Sequence, residues 1–206
     1  MTPPGTFDRV YAAIKERLRG GAYRPGARLE PAVLSDELNA SVTPVRDALH
    51  RLTGERLVEA PRHEGFRAPM MTETLLRQLY AWHLDLLLLA VMRHRGAFPA
   101  ADAPVSAGAV HERQNALFLS LTRAVGNTEH LATLEALTER LQPVQRLEAM
   151  FLDEVEAETD EILRALCSED RRGLRKSLVQ YHRRRGRIVP ELLAALFRPT
   201  EGNRIP

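Results

Sequence analysis

Two short helical stretches with only three residues between them constrain this chain more than any other feature. Pro31 to Asn39 reads as a short helix burying Val33, Leu34 and Leu38, and only Ala40, Ser41 and Val42 precede the next cap. Thr43 is that cap, because its hydroxyl can accept from the free N–H groups of the following turn. Pro44 fits the first helical position, where a missing N–H is no loss. Val45, Ala48, Leu49 and Leu52 then recur at i, i+3, i+4 and i+7, one buried stripe on a short helix. Two helices joined by so tight a turn form a helix-turn-helix. Arg46, Asp47 and His50 fall off the buried stripe. Arg46 lies in the first turn, where the helix dipole disfavours a cation, so an exposed Arg there points to an anion outside, a phosphate or a guanine edge. An ordinary surface helix whose Arg reaches water fits the same stretch.

The flanking residues separate those readings. Phe7, Val10, Tyr11, Ile14 and Leu18 keep helical spacing, and Gly20-Gly21 stops that first helix. Arg24-Pro25-Gly26 is a turn, with Pro preset at one corner and Gly free to take positive φ. After Gly54 come an extended run Leu57–Ala60, a loop Pro61–Gly65 and a second extended run Phe66–Ala68, which predict a β-hairpin, or wing. Helix, helix-turn-helix and wing, in that order, move the reading toward DNA. The residues Pro25-Gly26-x-x-Leu29, Leu34-x-x-x-Leu38, Ser41-x-Thr43-Pro44-Val45-Arg46-x-Ala48-Leu49-x-x-Leu52 and Leu57-Val58 keep order and spacing from about Val10 to Ala68. This stretch resembles the winged helix-turn-helix of the GntR family of bacterial transcription regulators. The resemblance implies a DNA-binding domain over residues 1–70. Its expected DNA contacts are Ser41, Val42, Thr43, Pro44, Arg46 and His50 on the recognition helix, with Arg62, His63 and Gly65 at the wing tip. Hydroxyls and helix N-terminal N–H groups hold phosphates, while Arg can reach guanine O6 and N7 in the major groove. The family commonly carries Arg where this chain has Val42, and often another near Ala32, so two cationic contacts are missing.

Composition sets the outer limits. The 206 residues suffice for one large or two modest domains, and at 44% hydrophobic but 5% aromatic the cores must be built mostly from Leu, Val and Ala. No run approaches the ~18 uncharged apolar residues of a membrane span; the longest, Leu86–Met92, meets Arg93, His94 and Arg95. Met1–Thr6 lacks the basic start and apolar core of a signal peptide. A single Cys167 rules out an internal disulfide and suits a reducing cytoplasm. The net charge of +2 is uneven: residues 1–70 carry 11 Lys/Arg against 9 Asp/Glu, residues 71–170 carry 8 against 16, and residues 171–206 carry 10 against 2. One uniform nucleic-acid-binding surface is therefore not expected.

Beyond Pro69 no strand-like alternation appears, and residues 71–206 read as all-helical. Thr72 caps a helix that buries Leu75, Leu76, Leu79, Leu86 and Val91 and stops near Gly96. Phe98–Gly108 reads as a loop. Val110, Gln114, Leu117, Phe118, Leu121 and Val125 mark the next helix, ended by Gly126-Asn127. Thr128 caps a helix along Leu131, Leu134, Leu137 and Leu141, which Pro143 interrupts. Another runs along Leu147, Phe151, Val155, Ile162 and Leu166. Ser168 caps a last one through Leu174, Leu178 and Tyr181, which Pro190 kinks or breaks. No sustained heptad or internal repeat is present. Leu79-Tyr80, Phe118, Gly126-Asn127, Glu158, Ile162-Leu163-x-Ala165-Leu166-x-x-x-Asp170 and His182 resemble the helical ligand-binding domain of the FadR-type GntR subfamily, called FCD. The segment before Asn115 looks shorter than usual there, so one helix is expected to be lost or reduced to the Phe98–Gly108 loop.

That resemblance implies a divalent metal held by an Asp, a His one turn later and two further His. The matching positions here are Asn115, Leu119, Thr159 and His182, and only His182 is a strong ligand. One imidazole with an amide and a hydroxyl does not supply the donors a transition metal needs, so no metal and no cofactor is expected. His83, His94, His111 and His130 form no i,i+4 His pair and read as surface or core-edge residues. Metal-free members hold organic effectors, and Asn115, Arg123, Thr159, His182 and His83 would line a cavity for a small organic acid or an acyl chain. A filled core with no effector stays open. Leu84 and Leu86–Leu89 read as core and dimer interface. Arg171, Arg172, Arg175 and Lys176, with the run Arg183–Arg187, read as a solvated face neutralising the acidic middle, although they also fit nucleic acid or an acidic partner. No Gly-rich phosphate loop or His-Glu-x-x-His motif appears, Cys167 has no His near it in sequence, and Asp153-Glu154 and Asp160-Glu161 read as exposed charges, so no catalytic residues are expected.

The expected protein is mainly α: an N-terminal winged helix-turn-helix and a C-terminal all-α, FCD-like helical bundle. It would be a cytoplasmic repressor or activator, bound as a homodimer to a short palindromic double-stranded DNA and possessing no membrane segment. The alternative is an effector-independent helical interaction module that has kept the DNA-binding fold.

Overall fold

The computed structural model describes residues 5–94, 96 and 108–198. Its contacts cluster in two units, one running through Thr72 and the other beginning at Glu73; Gln142–Val144 and the segment from Leu193 group with the first. The Phe98–Gly108 loop, and with it the expected loss of a helix, falls outside the described residues apart from Gly108.

The head is built from α1 (Thr6–Arg19), β1 (Arg28–Leu29), α2 (Pro31–Glu37), α3 (Val42–Gly54) and β2 (Phe66–Arg67). Helical spacing carries Val10, Ile14 and Leu18 of α1 onto Leu34 of α2 and the Val45, Ala48, Leu49 and Leu52 stripe of α3, all buried in one core. Phe7 and Tyr11 pack at its edge. Val33 does not join it: it is 53% exposed, and Leu34 and Leu38 are the buried side of α2. A seven-residue helix has room for one apolar side only, and Leu34 fixes which.

Two local expectations shift. Helix α3 begins at Val42, so its N-cap is Ser41 in extended conformation and not Thr43. Pro44 then stands third in the helix, still within the first turn, where no intrahelical N–H bond is lost. The wing is also larger than a hairpin. Phe66-Arg67 pairs antiparallel with Arg28-Leu29, while Glu59 and Arg67 make a single bridge on its other side through N–H···O bonds of 2.8 and 2.9 Å.

From Glu73 on, the described residues carry helices and no strand: α4 (Glu73–Arg93), α5 (Val110–Arg123), α6 (Thr128–Glu148), α7 (Val155–Cys167), α8 (Arg171–Arg187) and α9 (Val189–Leu196). Asn127, not Thr128, caps α6, its side chain accepting from the His130 N–H at 3.0 Å. Asp170, not Ser168, caps α8, accepting from the Gly173 N–H at 2.9 Å. Helix α6 runs through Pro143 without ending, because Leu134, Leu137, Leu141 and Val144 continue one buried stripe across it. Leu147 therefore belongs to α6, and the break falls over residues 149–154, with Glu154 left-handed at φ 56°. Pro190 acts as expected, sitting second in α9 where α8 has ended.

Helix α8 packs on α4 and α7, and α5 on α4 and α7. Arg77 near the start of α4 donates to the Gly186 carbonyl, and Arg171 at the start of α8 donates to the His94 carbonyl, each at 2.6 Å, so the two helices run antiparallel. Helix α4 is long and apolar enough, by length and hydropathy alone, to cross a membrane. Yet Leu76, Leu79, Tyr80, His83, Leu86, Leu87, Ala90 and Val91 are buried against the rest of the unit, as in a core helix.

Candidate nucleic-acid interface and a buried imidazole cluster

The N-terminus of α3 is open for an external partner. Ser41 makes no side-chain capping bond, and the first turn holds no acidic residue. The Val42 and Thr43 amides have no intrahelical acceptor, and Pro44 has no N–H to leave unpaired. A free hydroxyl and two free amides at the positive end of a helix can hold a phosphate. Arg46 is exposed and has no hydrogen-bond or ion-pair partner among the described residues, so it is free to extend. Ser41, Val42, Thr43, Arg46 and His50 are exposed and Pro44 half-buried. His50 lies edge-on to Phe66, ring centroids 4.9 Å apart, and so braces the recognition helix against the wing.

The wing tip presents Arg62 and His63, both exposed. His63 and Gly65 take left-handed backbone, φ 63° and 76°, which turns the loop outward; nothing crowds the missing Cβ of Gly65. Arg67 is held instead within the wing by Glu59 at 2.9 Å and Glu64 at 3.3 Å.

In the helical unit, four of the five expected effector residues are buried. His83 is 1% exposed, Thr159 0%, His182 6% and Asn115 7%, whereas Arg123 lies exposed in the last turn of α5. Polar neighbours engage the four. Asn115 donates to Gln145 at 2.9 Å, and Thr159 accepts from Gln114 at 2.8 Å while donating to the Val155 carbonyl. His83 Nδ1 and His182 Nε2 are 2.8 Å apart. Their tautomers follow from chemistry. The Leu178 carbonyl, 2.7 Å from His182 Nδ1, can only accept, so Nδ1 carries the proton. Burial holds His182 neutral, down to about 3, and drives His83 well below its ordinary value. His182 Nε2 is then a bare acceptor, His83 Nδ1–H must donate to it, and His83 Nε2 is left as a buried lone pair with no partner. Phe118 and Tyr181 close around the two imidazoles, with centroids 5.4 Å from His83 and 4.9 Å from His182 respectively.

Beside them lies a network that sequence reading missed. Arg185, assigned to a solvated run, is 0% exposed. Its Nε donates to Glu148 and its Nη1 to Glu158, each at 2.7 Å, and its guanidinium lies 3.2 Å from the Tyr181 ring centroid. Tyr80 donates to the other Glu148 oxygen at 2.7 Å. Paired with two carboxylates, Arg185 stays protonated despite its burial. One signal was available: Arg185 extends the buried Leu174, Leu178, Tyr181, His182 stripe of α8. Of the other histidines, His94, His111 and His130 are each 7% exposed, at the core edge rather than the surface, while His83 is fully interior at 1%.

The metal of the FadR-type resemblance does not fit these side chains. Asn115 offers only a weak amide oxygen, the Thr159 hydroxyl is taken by Gln114 and the Val155 carbonyl, Leu119 offers no donor, and no group of three or more His, Cys, Asp or Glu converges among the described residues.

A three-helix head with a two-stranded wing and a free cationic recognition helix defines a winged helix-turn-helix of the DNA-binding class. Residues 6–67 match bacterial regulatory proteins of the gntR family, and the head is a gntR-family domain. A transcriptional regulator named McbR from Escherichia coli K12 is 35% identical over 78 residues, 38% of this chain and 35% of that protein. The Nta operon transcriptional regulator of Aminobacter aminovorans is 27% identical over 134 residues, 58% of this chain and 64% of that protein. The chain thus spans between about one third and two thirds of these relatives' length. Two solved structures share the overall fold: E. coli McbR/YncC at TM-score 0.65 and 23% identity, covering 91% of this chain and 98% of that one, and a GntR regulator from Rhodococcus sp. RHA1 at TM-score 0.70 and 18% identity, covering 92% and 98%.

Proposed function

We propose that the protein is a cytoplasmic transcription regulator that binds a short palindromic DNA as a homodimer and does no catalysis. The observation that carries this is the open N-terminus of α3, with an unpaired Arg46, free amides and a free Ser41 hydroxyl. Two heads related by two-fold symmetry read a palindrome, and the exposed side of α4 supports a dimer. Ala81, Trp82, Asp85 and Met92 are exposed there beside half-buried Leu84, Leu88 and Leu89. A helix this apolar all round is normally covered on both sides.

An effector is part of the same proposal. Among the described residues, His83 Nε2 and Asn115 Oδ1 are buried acceptors without partners, and Arg185 Nη2 is a buried donor without one. A small organic acid bearing a hydroxyl reaching any of these atoms would pair it, whereas an acyl chain would leave it unpaired.

Electrophoretic or fluorescence titration of a selected duplex at several salt concentrations tests the reading. Affinity should survive non-specific competitor and fall linearly with salt on logarithmic axes. Binding no tighter to the selected duplex than to competitor overturns it in favour of the helical interaction module.

A further inference from the structure

Val42 is the one large apolar side chain that α3 leaves open, 36% exposed. It is the first residue of α3, one turn before Arg46 and on the same face. Neither packing nor capping uses it: the core is closed by Val45, Ala48, Leu49 and Leu52, and the N-cap position is taken by Ser41. Its β-branched side chain is short and carries both methyls on Cβ, close to the backbone. An isopropyl group has nothing to offer a phosphate or water. Among the base edges of a major groove, the apolar feature it matches is the C5-methyl of thymine.

We infer that Val42 reads a thymine methyl beside the base taken by Arg46. The inference rests on the DNA-reading function proposed above and adds which base the departure at this position selects. One helical turn advances about 6 Å over four residues, and base pairs rise about 3.4 Å, so the thymine lies within about two steps of the guanine read by Arg46.

The test starts from full-length protein and a randomised duplex library. If no duplex is enriched, the DNA-reading function itself is overturned. With an enriched palindrome in hand, each thymine is replaced in turn by deoxyuridine, which removes only the methyl. One substitution near the Arg46-dependent guanine should weaken wild-type binding about fourfold per half-site, the worth of one buried methyl, and about fifteenfold in both half-sites. The same substitution should have no effect on Val42→Ala, and Val42→Arg should shift selection at that position from thymine to guanine. Should Val42→Ala fail to fold by circular dichroism, Val42→Ser is read in the same way. A wild-type protein indifferent to every deoxyuridine, or a loss that persists unchanged in Val42→Ala, overturns the inference and leaves the regulator intact.

Discussion

Arg46 and Arg62 are both exposed cations on the head, and the proposed function gives them different work. Arg46 stands on the recognition helix one turn from the cap, and Arg62 on the outward-turned wing. Arg46→Ala should lower affinity for the selected duplex by about 1–3 kcal/mol and relax the choice at one base position. Arg62→Ala should weaken all duplexes alike and reduce the salt slope by about 1. The same titration reads both. The imidazole pair makes a different residue-scale prediction. In the unfolded chain each ring titrates near 6.5, whereas folded His182 titrates at about 3 and His83 is also strongly lowered. Between those values the unfolded state binds protons that the folded state does not. Stability is therefore full above pH 6.5 and is lost as pH falls, by about 1.4 kcal/mol per pH unit for each ring. Urea midpoints measured from pH 7 to pH 5 should decline, and His83→Asn or His182→Asn should flatten the decline. Both histidines were legible as candidates, but their pairing was not, because residues 99 apart in sequence leave no local trace of contact.

At the scale of elements, capping and periodicity made the helices readable, and competition between adjacent cap residues blurred their ends. Ser41 stands at the cap in place of Thr43 without a side-chain bond, while Asn127 displaced Thr128 and Asp170 displaced Ser168 by accepting an N–H of the first turn. Strand β1 went unseen because two residues carry no alternation. Arg185 was hidden by its setting: four arginines around one glycine read as solvent-facing, and only the phase of α8 separates it from Arg183 and Arg187. Its burial can be tested directly. Arg185→Leu leaves Glu148 and Glu158 without their shared cation and should cost about 3–5 kcal/mol in urea unfolding. Replacing Arg185, Glu148 and Glu158 together by apolar residues of similar volume should recover most of that loss.

On the scale of the whole molecule, the head was legible almost complete, because its parts are close in sequence and each carries a local signal. The helical unit was legible as helices but not as a site, because its polar pairs join α4 to α8, α5 to α6 and α5 to α7. The proposed dimer belongs to this scale. Trp82→Asp with Met92→Glu should convert a dimer into a monomer in light scattering while leaving helical content unchanged, and weaken palindrome binding far more than half-site binding. A wild-type protein that is monomeric at micromolar concentration would remove α4 as the interface. The enclosed guanidinium of Arg185 also limits how such a regulator can respond to a signal. Its two carboxylates come from α6 and α7 while it rides on α8, so sliding α8 by even one residue would strand three charges in a dry interior. Helix α8 works as a bolt through the unit, and a ligand can shift the unit as a rigid block more easily than it can slide the helices inside it.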